Sequence, residues 1–209
     1  MTPSVPPGLA AAFAVALAVL VAGCSFSRPA LDRSTYALGA SRTGAPAAQA
    51  KPVALRVRPF RAVAPYDVRE FLYRKADGQL VTDFYNSFPT EPGELVTSAT
   101  TQWLKSSGLF AVVLEPGVSV DAQYLLEGSV IALYADLTDA KRPASVLEVQ
   151  VYLVRVAPAG RDLVLDRRFA ERVEVGEPSP AALAKGYNQA LERILQRLER
   201  ELATADLKP

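Results

Sequence analysis

The chain has no histidine, and its one cysteine is Cys24. Without histidine it lacks the commonest general base and the commonest metal ligand, and a single cysteine cannot form an intramolecular disulfide. Neither sign of charge is in excess, because 23 Lys and Arg accompany 22 Asp and Glu. Such a balance creates no basic field that would attract nucleic acid. We therefore expect no metal site, no cofactor and no nucleic-acid partner.

The common motifs of catalysis are missing as well. The sequence has no Gly-x-Ser-x-Gly nucleophile elbow, no histidine to activate a serine, and no glycine-rich phosphate loop before a helix. Paired carboxylates stay open as an alternative, because Asp and Glu are scattered through the chain. The sequence predicts a protein that is not an enzyme and that has no catalytic residues.

An apolar run leads up to Cys24. Residues 9–23 carry no charge and fall short of the roughly 20 residues of a membrane-spanning helix, which is typical of the hydrophobic part of a signal peptide. Small residues, Ala22 and Gly23, precede the thiol, as they do in bacterial lipoprotein signals. The pattern predicts a signal peptide over residues 1–23, cleavage between Gly23 and Cys24, and acylation of Cys24. Residues 1–8 lack Lys and Arg, so the start codon stays open, and the alternative for Cys24 is a buried thiol that ends an N-terminal helix.

The residues after Cys24 predict where the anchor leads. In bacterial lipoproteins an Asp directly after the acylated cysteine favours retention in the inner membrane, so Ser25 implies export to the outer membrane. Residues 24–52 are rich in Ala, Ser, Gly, Pro and Arg, a composition that buries little apolar surface. We expect this segment to be a flexible tether, interrupted by a short strand or docking segment at residues 35–38.

Strand and helix patterns in residues 53–205 predict a single folded domain. Apolar and polar positions alternate from Val53 to Arg58, as in a half-buried strand, and Asp77-Gly78 suits a hairpin turn. Helices are expected at about residues 91–107, where Gly108 supplies the C-terminal stop, and from Ser179 onward, where an apolar stripe runs from Leu183 to Leu202. Strands are expected at 71–74, 80–85, 111–114, 124–137, 146–156 and 163–175, and the last three should form an antiparallel meander. In the last strand, strict alternation predicts one buried face made of Leu163, Leu165, Phe169, Val173 and Val175. Because strands and helices do not alternate regularly, the order indicates an α+β fold, with an antiparallel-rich mixed sheet and two main helices packed on it.

Aromatic side chains are concentrated in and after the predicted hairpin. Aromatic residues are enriched in the cores of interfaces and also contact lipid, so Phe84, Tyr85 and Phe88 are candidate interface residues, with Phe71 and Tyr73 beside them. The alternative is that these rings fill the core or form cross-strand pairs, as aromatic residues at alternating strand positions usually do.

An ordered set of segments carries a family resemblance. The set comprises Leu72-Tyr73-Arg74, residues 84–88, residues 92–95, Trp103-Leu104, residues 106–113, residues 124–128 and the terminal helix. Together with the lipoprotein signal, these segments resemble the auxiliary lipoproteins of ABC-type transport systems. The resemblance covers the chain from about Tyr36 to the final helix.

This resemblance implies a function and a set of partners. Members of that family look like lipoproteins anchored in the outer membrane that associate with MCE-domain proteins. With an ABC transporter permease and ATPase in the inner membrane, these move phospholipid between the two membranes. The resemblance therefore implies a non-catalytic protein on the periplasmic face of the outer membrane, held by its acyl chains, and it also implies a homo-oligomer. The alternative is a lipoprotein scaffold or activator of another envelope machine, in peptidoglycan synthesis or secretion.

Overall fold

Nine strands and two helices make up the part of the chain that the computed structural model describes, residues 32–158 and 160–208. The strands are β1 (Ser34–Thr35), β2 (Lys51–Val57), β3 (Arg61–Ala62), β4 (Glu70–Lys75), β5 (Leu80–Ser87), β6 (Phe110–Leu114), β7 (Tyr124–Leu137), β8 (Ala144–Ala157) and β9 (Gly160–Glu174). The helices are α1 (Pro92–Ser107) and α2 (Pro180–Thr204). This arrangement confirms the predicted α+β class.

All nine strands belong to one mixed sheet with β7 near its centre. Strand β8 runs antiparallel along the whole of one side of β7, whereas β2, β3 and β4 pair in parallel with successive stretches of its other side. From β4 the sheet continues through β5 to β1, and from β8 it continues to β9. Strands β1 and β9 therefore lie at opposite edges, and β6 extends the sheet from β2.

The helices and the sheet share one hydrophobic core. Both helices start at a proline and so use a residue that lacks the N–H group left unbonded at a helix start. Gly108 ends α1 in the left-handed conformation, as the sequence predicts. The apolar stripe of α2 is buried against β8 and β9, which confirms that the terminal helix packs on the sheet; its buried members include Leu183, Tyr187, Leu191, Ile194, Leu195, Leu198 and Leu202.

The predicted alternation of β9 is wrong at its beginning. Leu165, Phe169 and Val173 are buried as expected, but Leu163 is 60% exposed. In the ladder, Leu165 faces Leu153 and Leu163 faces Val154, so Val164 is an extra residue without a partner. One extra residue reverses which side chains face the core, and the exposure of Leu163 follows from that bulge.

The predicted flexible tether is wrong from Arg33 onward. Residues 33–50, which we call the strap, lie against the folded domain as part of one compact unit that starts at Arg33. Strand β1 pairs in parallel with the end of β5, and the side chain of Leu38 is buried in the core. At its far end the strap joins α1, because the Ala47 amide donates to the Ser107 carbonyl at 2.8 Å.

Composition failed to predict the strap because a few specific contacts hold it, whereas most of its side chains are small and exposed. The predicted signal peptide and the functional positions Gly23, Cys24 and Ser25 lie outside the described residues, so they stay predictions.

Candidate functional site

The structure separates the predicted aromatic candidates into buried and exposed residues. Phe71 and Phe88 are 1% and 2% exposed, and the Tyr187 ring of α2 packs edge-on against both of them. Phe88 is therefore a core residue, which corrects its assignment to the candidate interface. Phe84 and Tyr85 are 61% and 44% exposed, and they remain candidates for a contact outside the domain.

A wide irregularity in the β4–β5 ladder brings Phe84 and Tyr85 to the surface. Leu72 pairs with Thr82 and Glu70 pairs with Ser87, so residues 83–86 lie opposite the single residue Phe71. We call residues 83–86 the aromatic bulge. Extra residues in one strand break the regular alternation and redirect side chains. This explains why Phe84 is exposed and Phe88 is buried, although strict alternation would place both on the same face.

Asp83 holds the aromatic bulge together. Its Oδ1 atom accepts hydrogen bonds from the backbone N–H groups of Tyr85 at 2.7 Å and Asn86 at 3.1 Å. Its Oδ2 atom accepts from Asn86 Nδ2 at 2.8 Å and from the Tyr73 hydroxyl at 2.5 Å. An aspartate that binds the amides of the next few residues stabilises a local turn, and the bond to Tyr73 ties that turn to β4.

The same donors control the ionisation of Asp83. Burial raises the pKa of its carboxyl group, but the hydrogen bonds from Tyr73, Asn86 and the Tyr85 amide outweigh burial, so the pKa lies below its ordinary value. Burial, together with the bond to Asp83, raises the pKa of the Tyr73 hydroxyl. At neutral pH the carboxylate is therefore charged and the phenol is neutral, and the bond between them is charge-assisted.

The strap begins beside the aromatic bulge. The Arg33 guanidinium lies 4.3 Å from the centroid of the Phe84 ring, within the range of a cation–π contact. The Phe84 and Tyr85 rings meet edge-on with their centroids 5.6 Å apart. Ser34 pairs with Asn86 in the β1–β5 ladder, which fixes the strap against the bulge. Arg33, Phe84 and Tyr85 thus form one exposed surface, which we call the aromatic foot.

A partly buried ion pair between Arg42 and Glu199 fixes the strap to the helices. Arg42 donates to both carboxylate oxygens of Glu199, at 2.9 and 3.0 Å, and Trp103 Nε1 donates to the same carboxylate at 2.7 Å. The hydrogen bond from Arg42 lowers the pKa of Glu199, with a further contribution from Trp103. The strap, α1 and α2 therefore meet at one carboxylate. Nothing in the sequence signals the pairing of Arg42 with Glu199, which lie 157 positions apart.

Neither a metal centre nor a membrane span is present in the described part of the chain. Within residues 32–158 and 160–208, no group of carboxylates is arranged to hold a metal ion. No helix in that same part has the length and apolar character needed to cross a bilayer.

Comparisons with known proteins agree with this architecture. The model of a family described as "ABC-type transport auxiliary lipoprotein component" matches residues 36–199. Protein XCC0632 from Xanthomonas campestris has the same fold, with a TM-score of 0.70 at 21% identity, over 79% of this chain and 91% of that one. A solved uncharacterised protein gives 0.62 at 14% identity over 82% and 99% of the two chains. Protein CT253 from Chlamydia trachomatis gives 0.51 at 8% identity over 73% and 98%. The comparison with curated proteins found no match.

Proposed function

This chain belongs to the family of ABC-type transport auxiliary lipoprotein components, and on that premise we propose that it is a non-catalytic, lipid-anchored part of an intermembrane phospholipid transport system. In this proposal its partners are an MCE-domain protein and an ABC permease with its ATPase. The observation that carries the proposal is the family match. It spans residues 36–199 and so includes the strap from Tyr36, the aromatic bulge, strands β2 to β9, all of α1 and most of α2.

The anchor of the proposed protein is Cys24. Each methylene group of an acyl chain that enters the bilayer contributes about 0.8 kcal/mol, so two or more chains on one cysteine give stable attachment. Ser25 supports export of the acylated protein to the periplasmic face of the outer membrane. Residues 25–32 lie between the acylated position and the compact unit, which starts at Arg33.

The proposed role of the domain is to hold partners near the outer membrane. Strand β9 supports this role, because within the described residues it pairs only with β8 and so leaves one side of a long strand open. An open strand can pair with a strand of another protein or of a second copy of the chain. Alternating Arg, Asp and Glu side chains on β9 favour a selective partner over indiscriminate aggregation. The proposal includes a homo-oligomer on the same ground.

The anchor is tested by fractionating envelopes of cells that express the full-length protein, Cys24→Ser, or Ser25→Asp. We expect the unchanged protein in the outer-membrane fraction, the Cys24→Ser variant released from it, and the Ser25→Asp variant in the inner-membrane fraction. Finding Cys24→Ser and the unchanged protein in the same membrane fraction would contradict the lipid anchor.

The transport role is tested by comparing gene deletions in the same cells. We expect loss of this protein to give the same change in outer-membrane phospholipid as loss of the MCE-domain partner, with no further change when both are lost. The Cys24→Ser variant should fail to restore the phospholipid content. Additive defects, or a defect in peptidoglycan or secretion alone, would refute the transport role and favour a scaffold of another envelope machine.

A further inference from the structure

We propose that the aromatic foot is a membrane contact: Phe84, Tyr85 and Arg33 lie in the interface of the phospholipid bilayer that holds the anchor. This contact would fix the orientation of the domain on the membrane. The proposal rests on the proposed function in one respect, namely the acylation of Cys24.

The first argument is where the chain enters the folded unit. Eight residues lie between Cys24 and Arg33, and an extended chain over these nine residue steps spans at most about 30 Å. Arg33 itself touches the Phe84 ring, and the next residue, Ser34, is paired with Asn86. The aromatic foot is therefore the described surface that lies closest along the chain to the acylated cysteine.

The second argument is that the strap keeps the entry point fixed. The Tyr36 amide donates to the Ser87 carbonyl at 2.9 Å, and the Gly39 amide donates to Asn188 Oδ1 at 2.9 Å. Further on, Arg42 holds Glu199. Because these contacts prevent residues 36–42 from leaving the domain, the anchor pulls on the domain at Arg33, beside the aromatic foot.

The third argument is that the exposure of the rings is built into the fold. Single exposed apolar residues are common on protein surfaces and need no explanation. Here, however, the β4–β5 ladder is interrupted over residues 83–86. The partly buried carboxylate of Asp83 accepts four hydrogen bonds that stabilise this interruption. A regular strand would need neither feature, so the structure stabilises the presentation of Phe84 and Tyr85.

The chemistry of the aromatic foot fits a bilayer interface. Tyrosine is enriched where membranes meet water, because its ring is apolar and its hydroxyl is polar. An arginine keeps its guanidinium at the headgroups while its methylene stem lies along apolar surface, and the guanidinium binds phosphate oxygens. Asp32, the residue before Arg33, is exposed and carries the opposite charge. The contact therefore depends on the rings and on phosphate binding by Arg33, and we expect it in neutral as well as anionic bilayers.

The contact would orient the rest of the sheet. The strands follow the order β1, β5, β4, β7, β8, β9 from the strap to the far edge. At about 4.8 Å between neighbouring strands, β9 lies roughly 24 Å from β1 across the sheet. With the aromatic foot in the membrane, the open strand β9 is held away from the bilayer, where a partner can reach it.

The experiment measures how deeply position 85 lies in a membrane. The full-length acylated protein carrying Tyr85→Cys is labelled with a fluorescent thiol probe, and Leu163→Cys on β9 carries the same probe as the control. Tyr85 is 44% exposed and Leu163 is 60% exposed, so exposure in the domain alone predicts similar quenching at the two positions. Both proteins are reconstituted into phosphatidylethanolamine vesicles, with and without phosphatidylglycerol, and the probe is quenched from the aqueous phase with iodide. Mass spectrometry of each sample verifies the acyl groups on Cys24.

We expect iodide to quench the probe at position 85 several-fold less than the probe at position 163, with or without phosphatidylglycerol, and we expect Phe84→Ser to reduce the difference. Equal quenching at the two positions in acylated protein would overturn the membrane contact and leave the anchor intact. Unacylated Cys24 would overturn the anchor and the contact together. Protection that appears only when the MCE-domain partner is added would assign the aromatic foot to that protein and overturn the proposal.

Discussion

Asp83 concentrates four hydrogen bonds on one partly buried carboxylate. We predict that Asp83→Ala lowers the free energy of unfolding by about 2 kcal/mol, because hydrogen bonds to a charged group contribute about 1.5–3 kcal/mol and two backbone amides lose their acceptor. Urea denaturation measures the energy, and hydrogen exchange should show loss of protection at the Tyr85 and Asn86 amides.

The matched control for that change is Asp77→Ala in the hairpin turn. Asp77 accepts one hydrogen bond, from the Gln79 amide at 3.0 Å, and it is exposed to solvent, so we expect a change of only a few tenths of a kcal/mol. Equal destabilisation by the two variants would show that Asp83 has no special role in the aromatic bulge.

Glu199 gives the protein a predictable response to acid. The bonds from Arg42 and Trp103 lower the pKa of Glu199 in the folded state, so the unfolded state binds a proton more readily. The stability from this group is thus fully present above the ordinary carboxyl pKa and is lost as the pH falls through the lowered folded-state pKa. We predict that Glu199→Gln makes unfolding less dependent on pH over that acidic range. The measurement is the free energy of unfolding by urea at a series of pH values.

Glu192→Gln is the control for the pH experiment. Glu192 lies on the same helix, and its carboxylate accepts a hydrogen bond only from Gln196 among the described residues. This variant should keep the acid sensitivity of the unchanged protein. An unaltered pH profile in Glu199→Gln would mean that Glu199 contributes no proton-linked stability.

At the scale of elements, α2 lies so close to β8 that one helix position admits only glycine. A Cβ atom at Gly186 would lie 2.8 Å from the Ser145 Cβ and would overlap the Ser145 hydroxyl, which itself donates to the Leu183 carbonyl at 2.8 Å. Alanine forms helices better than glycine by about 1 kcal/mol, but forcing a methyl group into a packed core costs about 1–3 kcal/mol. The two effects oppose each other. Because the Ser145 side chain is held by its hydrogen bond to the Leu183 carbonyl, we expect the steric overlap to outweigh the gain in helix propensity and to lower the stability.

We predict that Gly186→Ala destabilises the protein by about 1–2 kcal/mol in thermal or urea unfolding, and that a Ser145→Ala background recovers part of this loss. Lys185→Ala is the control, because the neighbouring side chain is exposed and its replacement should leave stability nearly unchanged. If Gly186→Ala stabilised the protein, helix propensity would outweigh the contact with β8, and the close approach would be irrelevant.

Elements with strong periodicity were predictable, and their long-range arrangement was not. The apolar stripe of the terminal helix, the Asp77-Gly78 hairpin and the three-stranded meander follow from local patterns that the structure confirms. The parallel pairing of β2, β3 and β4 with successive stretches of β7 has no local signal, because it depends on contacts between distant residues. The bulge at Val164 likewise escapes a rule that assumes strict alternation.

The candidate site was predictable only in part, for the same reason. Sequence patterns selected Phe84, Tyr85 and Phe88 together, because all three are aromatic residues close to one strand. The exposure of Phe84 and Tyr85 and the burial of Phe88 depend on the hydrogen bonds of Asp83 to the Tyr85 and Asn86 amides. In the sequence, Asp83 looks like any polar residue of a strand. Most of the strap was missed because its composition resembles a linker, and only the strand or docking segment expected at residues 35–38 overlaps β1 and the buried Leu38. The pairing of Arg42 with Glu199, which also holds the strap, has no local signal.

On the scale of the whole molecule, the parts combine into a simple arrangement. The acylated cysteine is proposed to lie in the outer membrane, and the strap brings the chain onto the domain at the aromatic foot. Strand β9, at the opposite edge of the sheet, pairs only with β8 among the described strands, and its other side is open to a partner. This arrangement explains how the protein would fill the non-catalytic role that we propose for it in a transport system: it would hold a partner at a fixed distance and orientation from the membrane.

The most direct measurement is mass spectrometry of the full-length protein purified in detergent from its native cells, covering both its N-terminus and the proteins that accompany it. The account predicts an acylated N-terminal Cys24 together with an MCE-domain protein. An acylated Cys24 accompanied only by enzymes of peptidoglycan synthesis or components of a secretion system would contradict the proposed role in lipid transport.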